Sequence, residues 1–156
     1  MALSLRTLAI ALPFVFALHV ETPGFVAWFN SLVEPDITPQ AFMSVNATGF
    51  LITLVVAALA AMSREATVGV LAVAWVGFLM LANGLLHLVA TLVHQRCSPG
   101  VVTGTLLYLP LAVLFIRAGV RECAVSWRVA IFAAAAGGVP MYVHGYLIVF
   151  RGSRLF

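Results

Sequence analysis

The stretch that decides the fold extends from residue 67 to residue 94 and reads TVGVLAVAWVGFLMLANGLLHLVATLVH. No Asp, Glu, Lys or Arg interrupts it, and its only amide or imidazole side chains are those of Asn83, His87 and His94. A helix needs about 20 mostly apolar residues to cross the roughly 30 Å hydrocarbon core of a bilayer. The stretch therefore predicts a membrane-spanning helix.

Four more apolar runs accompany this stretch, and short polar breaks separate them. The runs cover residues 3–20, 41–62, 101–118 and 129–150. The segment 21–40 combines three prolines with Phe25, Trp28 and Phe29, a mixture that suits an extramembrane loop with a short interfacial helix. We predict an all-α, polytopic transmembrane helix bundle of about five spans, in which residues 1–156 form a single domain.

The composition decides which classes of protein and partner are excluded. Hydrophobic residues make up 63% of the chain and charged residues 8%, whereas soluble domains carry about 25% charged residues. The net charge of +3 comes from eight Arg and no Lys against five acids, which is too few cations for nucleic acid to be the partner. The expected partners of this integral membrane protein are membrane lipid and a lipophilic small molecule, and a homo-oligomer is left open.

The arginines are distributed unevenly between the two ends of the predicted bundle. One end carries Arg6, Arg64, Arg117, Arg121 and Arg128, and the other carries Arg96, Arg151 and Arg154. Because cytoplasmic loops are enriched in Arg, we expect a cytoplasmic amino terminus in a bacterial inner (cell) membrane. The alternative for residues 3–20 is a cleaved signal peptide, since an Arg precedes the run and Val15-Phe16-Ala17 suits cleavage.

The polar residues of the spans share one depth. At 1.5 Å per residue, antiparallel spans place the following residues in the half of the bilayer remote from the cytoplasm: His19, Glu21, Asn46, Asn83, His87, His94, Tyr108 and His144. Ionisable groups in hydrocarbon are expensive and are a functional hypothesis by default. We expect His19, Glu21, His87 and His144 to surround one cavity that is open to lipid, while His94 reaches interfacial water.

Asn83 and His87 lie four residues apart, which places them on one face of a helix. The Asn83 amide is expected to bond one ring nitrogen of His87 and so fix its tautomer, a common task for groups behind a ligand or base. The alternative is that Asn and His only hold helices together.

Three stretches carry a resemblance to a known family. They are LHVETPGF at residues 18–25 with Trp28, NGLLH at residues 83–87, and RCSPG at residues 96–100 followed by Thr103 and Pro110. They resemble the HXXEE-domain family of small integral membrane proteins, which is named for a His followed at three and four residues by two Glu. That resemblance implies that His19 is the motif histidine, and that Asn83 and His87 are later motif residues.

The same resemblance implies a cofactor, because the family is regarded as a membrane metal-binding group. The expected ligands of a divalent Zn or Fe ion are His19, Glu21, His87 and His144. The sequence departs from the motif at Thr22 and Pro23, where the two Glu would stand, so only Glu21 remains nearby.

The leading functional hypothesis is a membrane-embedded enzyme that acts on an isoprenoid- or lipid-like substrate as a hydrolase, an oxidase or an isomerase/cyclase. The expected catalytic residues are His87, Glu21, Asn83 and Tyr108. His87 would be a ligand or base, Glu21 a ligand or acid, and Tyr108 a hydrogen-bond donor. The alternatives are a non-catalytic membrane subunit or assembly module, and a haem-binding protein with His87 and His144 as axial ligands.

Overall fold

The chain folds into helices, and the computed structural model describes residues 3–20 and 24–155. The helices are α1 (Leu5–Val20), α2 (Phe25–Asn30), α3 (Pro39–Met62), α4 (Ala66–His94), α5 (Val101–Glu122) and α6 (Trp127–Arg151). No strand occurs in these described ranges. The predicted all-helical class is confirmed, and α2 occupies the position expected for a short helix after the first span.

Four helices, α3 to α6, are long and apolar enough to cross a membrane by length and composition. The first helix, α1, is a shorter apolar helix of 16 residues, about 24 Å long at 1.5 Å per residue. It runs antiparallel to α5. The Leu5 amide donates to Glu122 Oε1 at 3.0 Å, and His19 Nδ1 lies 2.8 Å from Thr103 Oγ1. The described part of α1 therefore covers most of the length of α5.

Local signals fix where the long helices begin. Thr38 precedes α3, and its Oγ1 accepts a hydrogen bond from the Ala41 amide at 3.1 Å, while Pro39 occupies the first helical position. Ser126 caps α6 in the same way, since its Oγ accepts from the Val129 amide at 3.3 Å. Hydroxyl caps and an initial proline satisfy or remove amides that a helix leaves unpaired.

Small residues bring α4 and α6 into close contact. A Cβ added to Gly77 would meet the backbone of Ala134, and a Cβ added to Gly137 would meet the backbone of Ala74. Lipid tails are as apolar as the helices, so spanning helices associate through such close packing. The α4–α6 pair is consequently the tightest part of the bundle and holds α4 in position.

Wide helical turns interrupt three of the four long helices, α4, α5 and α6. Segments of π-helix occur at Gly77–Ala82 in α4, Gly104–Tyr108 in α5 and Leu147–Arg151 in α6. Pro110 follows the second segment, and its ring would clash with the carbonyl four residues earlier in a regular helix. Asn83, Tyr108 and His144 all lie within or beside such a segment, and π-turns are frequent at functional sites.

The two ends of the bundle differ in chemistry. At one end, called the charged end, Glu122 accepts from Arg121 Nη2 at 2.7 Å and lies 3.5 Å from Arg64 Nε. Together with the Leu5 amide, these contacts tie α1, the α3–α4 turn and α5 together. At the other end, called the cavity end, α1 and α4 finish, α3 and α5 begin, and the histidines lie.

Candidate functional site

Two histidine rings meet at the cavity end. His19 near the end of α1 and His87 in α4 have ring centroids 4.9 Å apart, with the rings inclined at 77°. Both side chains are buried, with exposed fractions of 7% and 3%. An imidazole that is buried without hydrogen bonds is strongly destabilising, so their partners define the site.

His87 is held by the loop that follows its own helix. Its Nδ1 lies 2.8 Å from Ser98 Oγ, while that hydroxyl donates to the Pro99 carbonyl at 3.3 Å. A hydroxyl that donates to this carbonyl can also accept the proton of an imidazole Nδ1. The Ser98 amide in turn donates to Thr91 Oγ1 at 2.9 Å. The other ring nitrogen, Nε2, bonds to no residue in the described ranges, and it carries the lone pair when Nδ1 carries the proton.

His19 has an analogous partner on another helix. Its Nδ1 lies 2.8 Å from Thr103 Oγ1, which donates to the Gly100 carbonyl at 3.1 Å. As at Ser98, a hydroxyl that donates to a carbonyl can also accept the proton of the imidazole Nδ1. Its Nε2 lies 3.4 Å from Asn83 Nδ2.

The expected pairing of Asn83 with His87 is wrong. The Asn83 amide bonds to His19 across the bundle. At His87, the ring nitrogen that Asn83 was expected to bond has Ser98 as its partner. The physical reason is that the loop 95–100 turns back into the bundle and offers a hydroxyl at better distance than the neighbour on the helix. The spacing of residues along one helix does not predict a contact with a loop.

Gly100 lets this loop approach both rings. Its φ of +92° is a left-handed conformation that side chains other than glycine rarely adopt. A Cβ at this position would lie 2.9 Å from His19 Cε1 and 3.0 Å from His87 Cε1. The glycine is required by both its backbone and its surroundings.

A cavity of about 170 Å³ opens beside the two rings. Its polar wall comprises His19, Asn46, Asn83, His87, His144 and Arg154. Its apolar wall includes aromatic side chains of α2 and α3, where Phe25 stacks on Phe42 with centroids 5.0 Å apart. Three of the histidines placed at one depth by the sequence therefore line one cavity.

His144, in α6, also lines this cavity. It is 7% exposed, stacks on Phe29 with centroids 6.4 Å apart, and its Nδ1 accepts from the Leu155 amide at 3.2 Å. The carboxyl-terminal tail thus closes over it. Glu21, the other predicted member of the site, lies outside the described residues.

Tyr108 contacts the site without lining the cavity. Its ring packs on His19 with centroids 4.2 Å apart, and its side chain is fully buried. The hydroxyl has no hydrogen-bond partner in the described ranges, and Tyr108 is absent from the cavity wall. Its predicted hydrogen bond to a substrate would need this ring to move.

His94 lies at the end of α4, outside the cavity. The side chain is half-buried, and its Nε2 is enclosed without a hydrogen-bond partner among the described residues. That the exposed part of the ring reaches interfacial water stays a prediction. The residue does not line the cavity, in agreement with its exclusion from the predicted site.

A metal ion at this site would need enough His, Cys, Asp or Glu side chains close together. Catalytic Zn²⁺ and non-haem Fe²⁺ sites commonly take three protein ligands. Within residues 3–20 and 24–155, no group of three His, Cys, Asp or Glu side chains is arranged to hold a metal. His19 and His87 would supply two ligands, and Glu21 would have to supply the third.

A haem between His87 and His144 does not fit the cavity as it stands. A cavity of about 150 Å³ holds a molecule of benzene, and a porphyrin is several times larger. The observed 170 Å³ would have to widen greatly to admit the macrocycle.

Ser98, Gly100 and Thr103 are the site residues that the sequence analysis did not assign to the site. All three lie in the loop and helix start at residues 98–103, which the sequence indicates only as a helix break. A signal for them existed, because the stretch RCSPG with Thr103 is one of the three that carry the family resemblance.

Comparison with known proteins supports that resemblance. The model of a family described as protein of unknown function with HXXEE motif matches residues 10–115 of the 156. No curated protein and no solved structure gives a significant match. The matched range contains His19, Asn83, His87 and the loop that holds the rings, and the chain belongs to the HXXEE family.

Proposed function

We propose that the protein is a membrane-embedded enzyme that performs proton transfer on a lipophilic substrate bound in the cavity, with His87 as its general base. The observation that carries this proposal is the paired geometry of His19 and His87, in which a hydroxyl holds each Nδ1. An imidazole oriented in this way presents the basic Nε2 to a substrate.

The chemistry follows from the tautomer. His87 Nε2 accepts a proton from the substrate, and the resulting imidazolium keeps its Nδ1 proton bonded to Ser98 Oγ. That proton can be returned from the same Nε2 to another atom of the substrate, which leaves His87 neutral again. His19, with its ring 4.9 Å away, lies beside this base with its own Nε2 at Asn83 Nδ2. General acid–base catalysis of this kind contributes about 10²–10⁴-fold to a rate. An isomerisation, in which a proton leaves one atom of the substrate and is delivered to another, needs only this one group.

A metal-dependent form of the same enzyme is the second candidate. The convergence of two imidazoles on one cavity favours it, with His19 and His87 as ligands and Glu21 as the proposed third. A bound divalent ion would polarise a substrate oxygen or activate water. Elemental analysis of detergent-purified protein should then give about one metal per chain, and His87→Ala should lose it. If the wild-type protein carries none, this form is wrong and metal-free acid–base catalysis remains.

The competing interpretation is that the polar residues only fasten helices together. The contact of His19 with Thr103 does join α1 to α5, so this interpretation explains the hydrogen bonds equally well. It does not explain why His87, which lines the cavity, has an Nε2 that bonds to no residue of the described ranges, since a residue that only joins helices would use both nitrogens.

The decisive experiment is incubation of the purified protein with a total membrane lipid extract, followed by mass spectrometry of the lipids. The wild-type protein should convert at least one species, and His87→Ala should reduce that conversion by about 10²-fold or more. His94→Ala is the matched control because it removes a histidine from the same helix outside the cavity. If lipid profiles with and without wild-type protein are the same, the enzyme proposal fails and the assembly interpretation is favoured.

A further inference from the structure

The carboxyl-terminal tail folds back over the cavity. Gly152, with a left-handed φ of +59°, reverses the chain after α6. Its carbonyl accepts from the Glu34 amide at 3.3 Å, and the Ser153 amide donates to the Leu147 carbonyl at 3.2 Å. With the Leu155 amide bonded to His144, the tail is fixed on both sides of Arg154.

Arg154 is thereby placed in the cavity wall. Its side chain is half-buried, and it forms no ion pair or hydrogen bond with any residue in the described ranges. A guanidinium carries five N–H donors in a planar fork that matches a carboxylate or phosphate. A partly buried cation is stabilised when an anion pairs with it.

We propose that the cavity binds the anionic end of an amphiphile, with Arg154 pairing its carboxylate or phosphate oxygens. This inference rests on the proposed function and names its substrate class. The size of the cavity limits what enters. At about 170 Å³ it is comparable to the roughly 150 Å³ that holds benzene, so only one end of a lipid fits.

The remaining apolar chain has a path into the bilayer. Residues of α3 and α6, such as Val45 and Met141, both line the cavity. Yet α3 packs mainly on α1 and α4, while α6 packs mainly on α4, and the described parts of α3 and α6 do not pack closely together. A ligand with its anionic group at Arg154 therefore extends its apolar chain through the gap between α3 and α6.

The test uses Trp28, which lines the same cavity, as a fluorescent reporter of binding. Bromine quenches tryptophan at short range, so the protein in neutral detergent is titrated with a brominated fatty acid and with the brominated alcohol of the same chain length. The acid should reach half-maximal quenching at a concentration about tenfold lower or more, because a hydrogen bond to a charged group contributes about 1.5–3 kcal/mol. Trp28→Phe should remove the signal that is specific to the acid.

Three arginine variants test whether Arg154 causes the preference for the acid over the alcohol. Arg154→Gln should bind acid and alcohol equally, Arg154→Lys should keep part of the preference, and Arg151→Gln should keep all of it because Arg151 is exposed and absent from the cavity wall. A brominated diacyl phosphatidate, tested beside the single-chain acid, shows which source of the oxyanion is bound. Equal quenching by acid and alcohol in the wild type overturns the inference without needing any variant.

The binding test also separates this inference from the enzyme proposal. The titration is repeated with His87→Ala, which should keep the preference for the acid while losing lipid conversion. Acid preference without any conversion by the wild type contradicts the proposed enzyme alone. Lipid conversion without acid preference contradicts the role of Arg154 alone.

Discussion

Two hydroxyl groups hold the Nδ1 atoms of His19 and His87. Ser98 and Thr103 each donate to a backbone carbonyl and each lie 2.8 Å from an imidazole Nδ1. A neutral histidine that donates its Nδ1 proton to such a hydroxyl has its lone pair on Nε2. The proposed role as base or ligand depends on that tautomer, and therefore on residues that do not themselves react in the proposed chemistry.

Removal of the hydroxyl at residue 103 should impair the enzyme while its replacement by another hydroxyl should not. Thr103→Val keeps the size of the side chain but removes the hydroxyl that lies 2.8 Å from His19 Nδ1. Loss of such supporting groups commonly lowers activity by about 10–100-fold. Lipid conversion by Thr103→Val should fall in that range, whereas Thr103→Ser should stay near the wild type. Equal activity of the Val and Ser variants would show that the hydroxyl does not position His19.

Gly100 and Gly24 provide a matched pair at the same scale. Both have left-handed φ angles, +92° and +82°, but a Cβ at Gly24 would meet nothing within 4 Å. An alanine at either position should cost about 1–2 kcal/mol of stability through the backbone. Only Gly100→Ala also presses on both histidine rings.

We therefore expect both alanine variants to unfold at lowered temperatures in detergent, Gly100→Ala at the lower of the two because of the added contact with the rings, while Gly100→Ala alone loses lipid conversion. The measurements are a thermal melt and the lipid conversion assay on each purified variant. If Gly100→Ala keeps full conversion, the rings tolerate displacement, and the close fit of the loop is not needed for the site.

At the scale of elements, the contact between α4 and α6 depends on the absence of side chains. Gly137 lies so close to the backbone of Ala74 that an added Cβ would be 2.8 Å from its Cα. Backbone atoms cannot yield as the end of a side chain can. Any residue larger than glycine must therefore separate the two helices.

Gly137→Ala should destabilise the protein by about 1–3 kcal/mol, the usual range for overpacking. Gly49→Ala in α3 is the control, because its Cβ would meet Phe16 at an ordinary 3.5 Å and alanine favours helix over glycine. Thermal unfolding in detergent should show a lower midpoint for the first variant and an unchanged or higher one for the second. Equal midpoints would mean that α4 and α6 can separate without loss of stability.

The π-helical turns explain at the same scale how long helices accommodate the site. The turn Gly104–Tyr108 precedes Pro110 and lies beside His87, since a Cβ at Gly104 would be 3.8 Å from the Cβ of His87. A wider turn removes the clash of the proline ring with the preceding turn. It also changes the direction of the residues before it, and these include Thr103, the partner of His19.

At the scale of the whole molecule, the two ends of the bundle meet different surroundings. Cys97 is exposed in the loop at the cavity end, and Cys123 is buried just after α5 at the charged end. Burial raises the pKa of the Cys123 thiol, which lowers its fraction of reactive thiolate at neutral pH. A thiol reagent should therefore modify Cys97, at the cavity end, and not the buried Cys123.

A membrane-impermeant maleimide should label Cys97 in intact cells if the cavity end faces away from the cytoplasm. If α1 also crosses the membrane, the protein has five spans. Tags on the two termini should then be accessible from opposite faces. Cys97→Ser should abolish the labelling. Labelling of Cys97 only after lysis would reverse the predicted orientation, and tags accessible from one face would exclude an odd number of spans.

The sequence by itself determined the helical bundle and the depth of its histidines. Both follow from quantities that are local along the chain: about 20 apolar residues for each crossing, and a rise of 1.5 Å per residue that converts position into depth. His19, His87 and His144 could be placed at one level for this reason, before any contact between helices was known.

Only the tertiary structure decided which atoms meet at that level. Ser98 bonds to His87, Asn83 bonds to His19 rather than to its helical neighbour, and Arg154 reaches the cavity from the last residues of the chain. These contacts join residues on different helices and loops, and their geometry is set by helix packing through small residues, by π-turns and by the reversal at Gly100. No periodicity along the sequence encodes such distances, because each depends on how separate segments pack against one another.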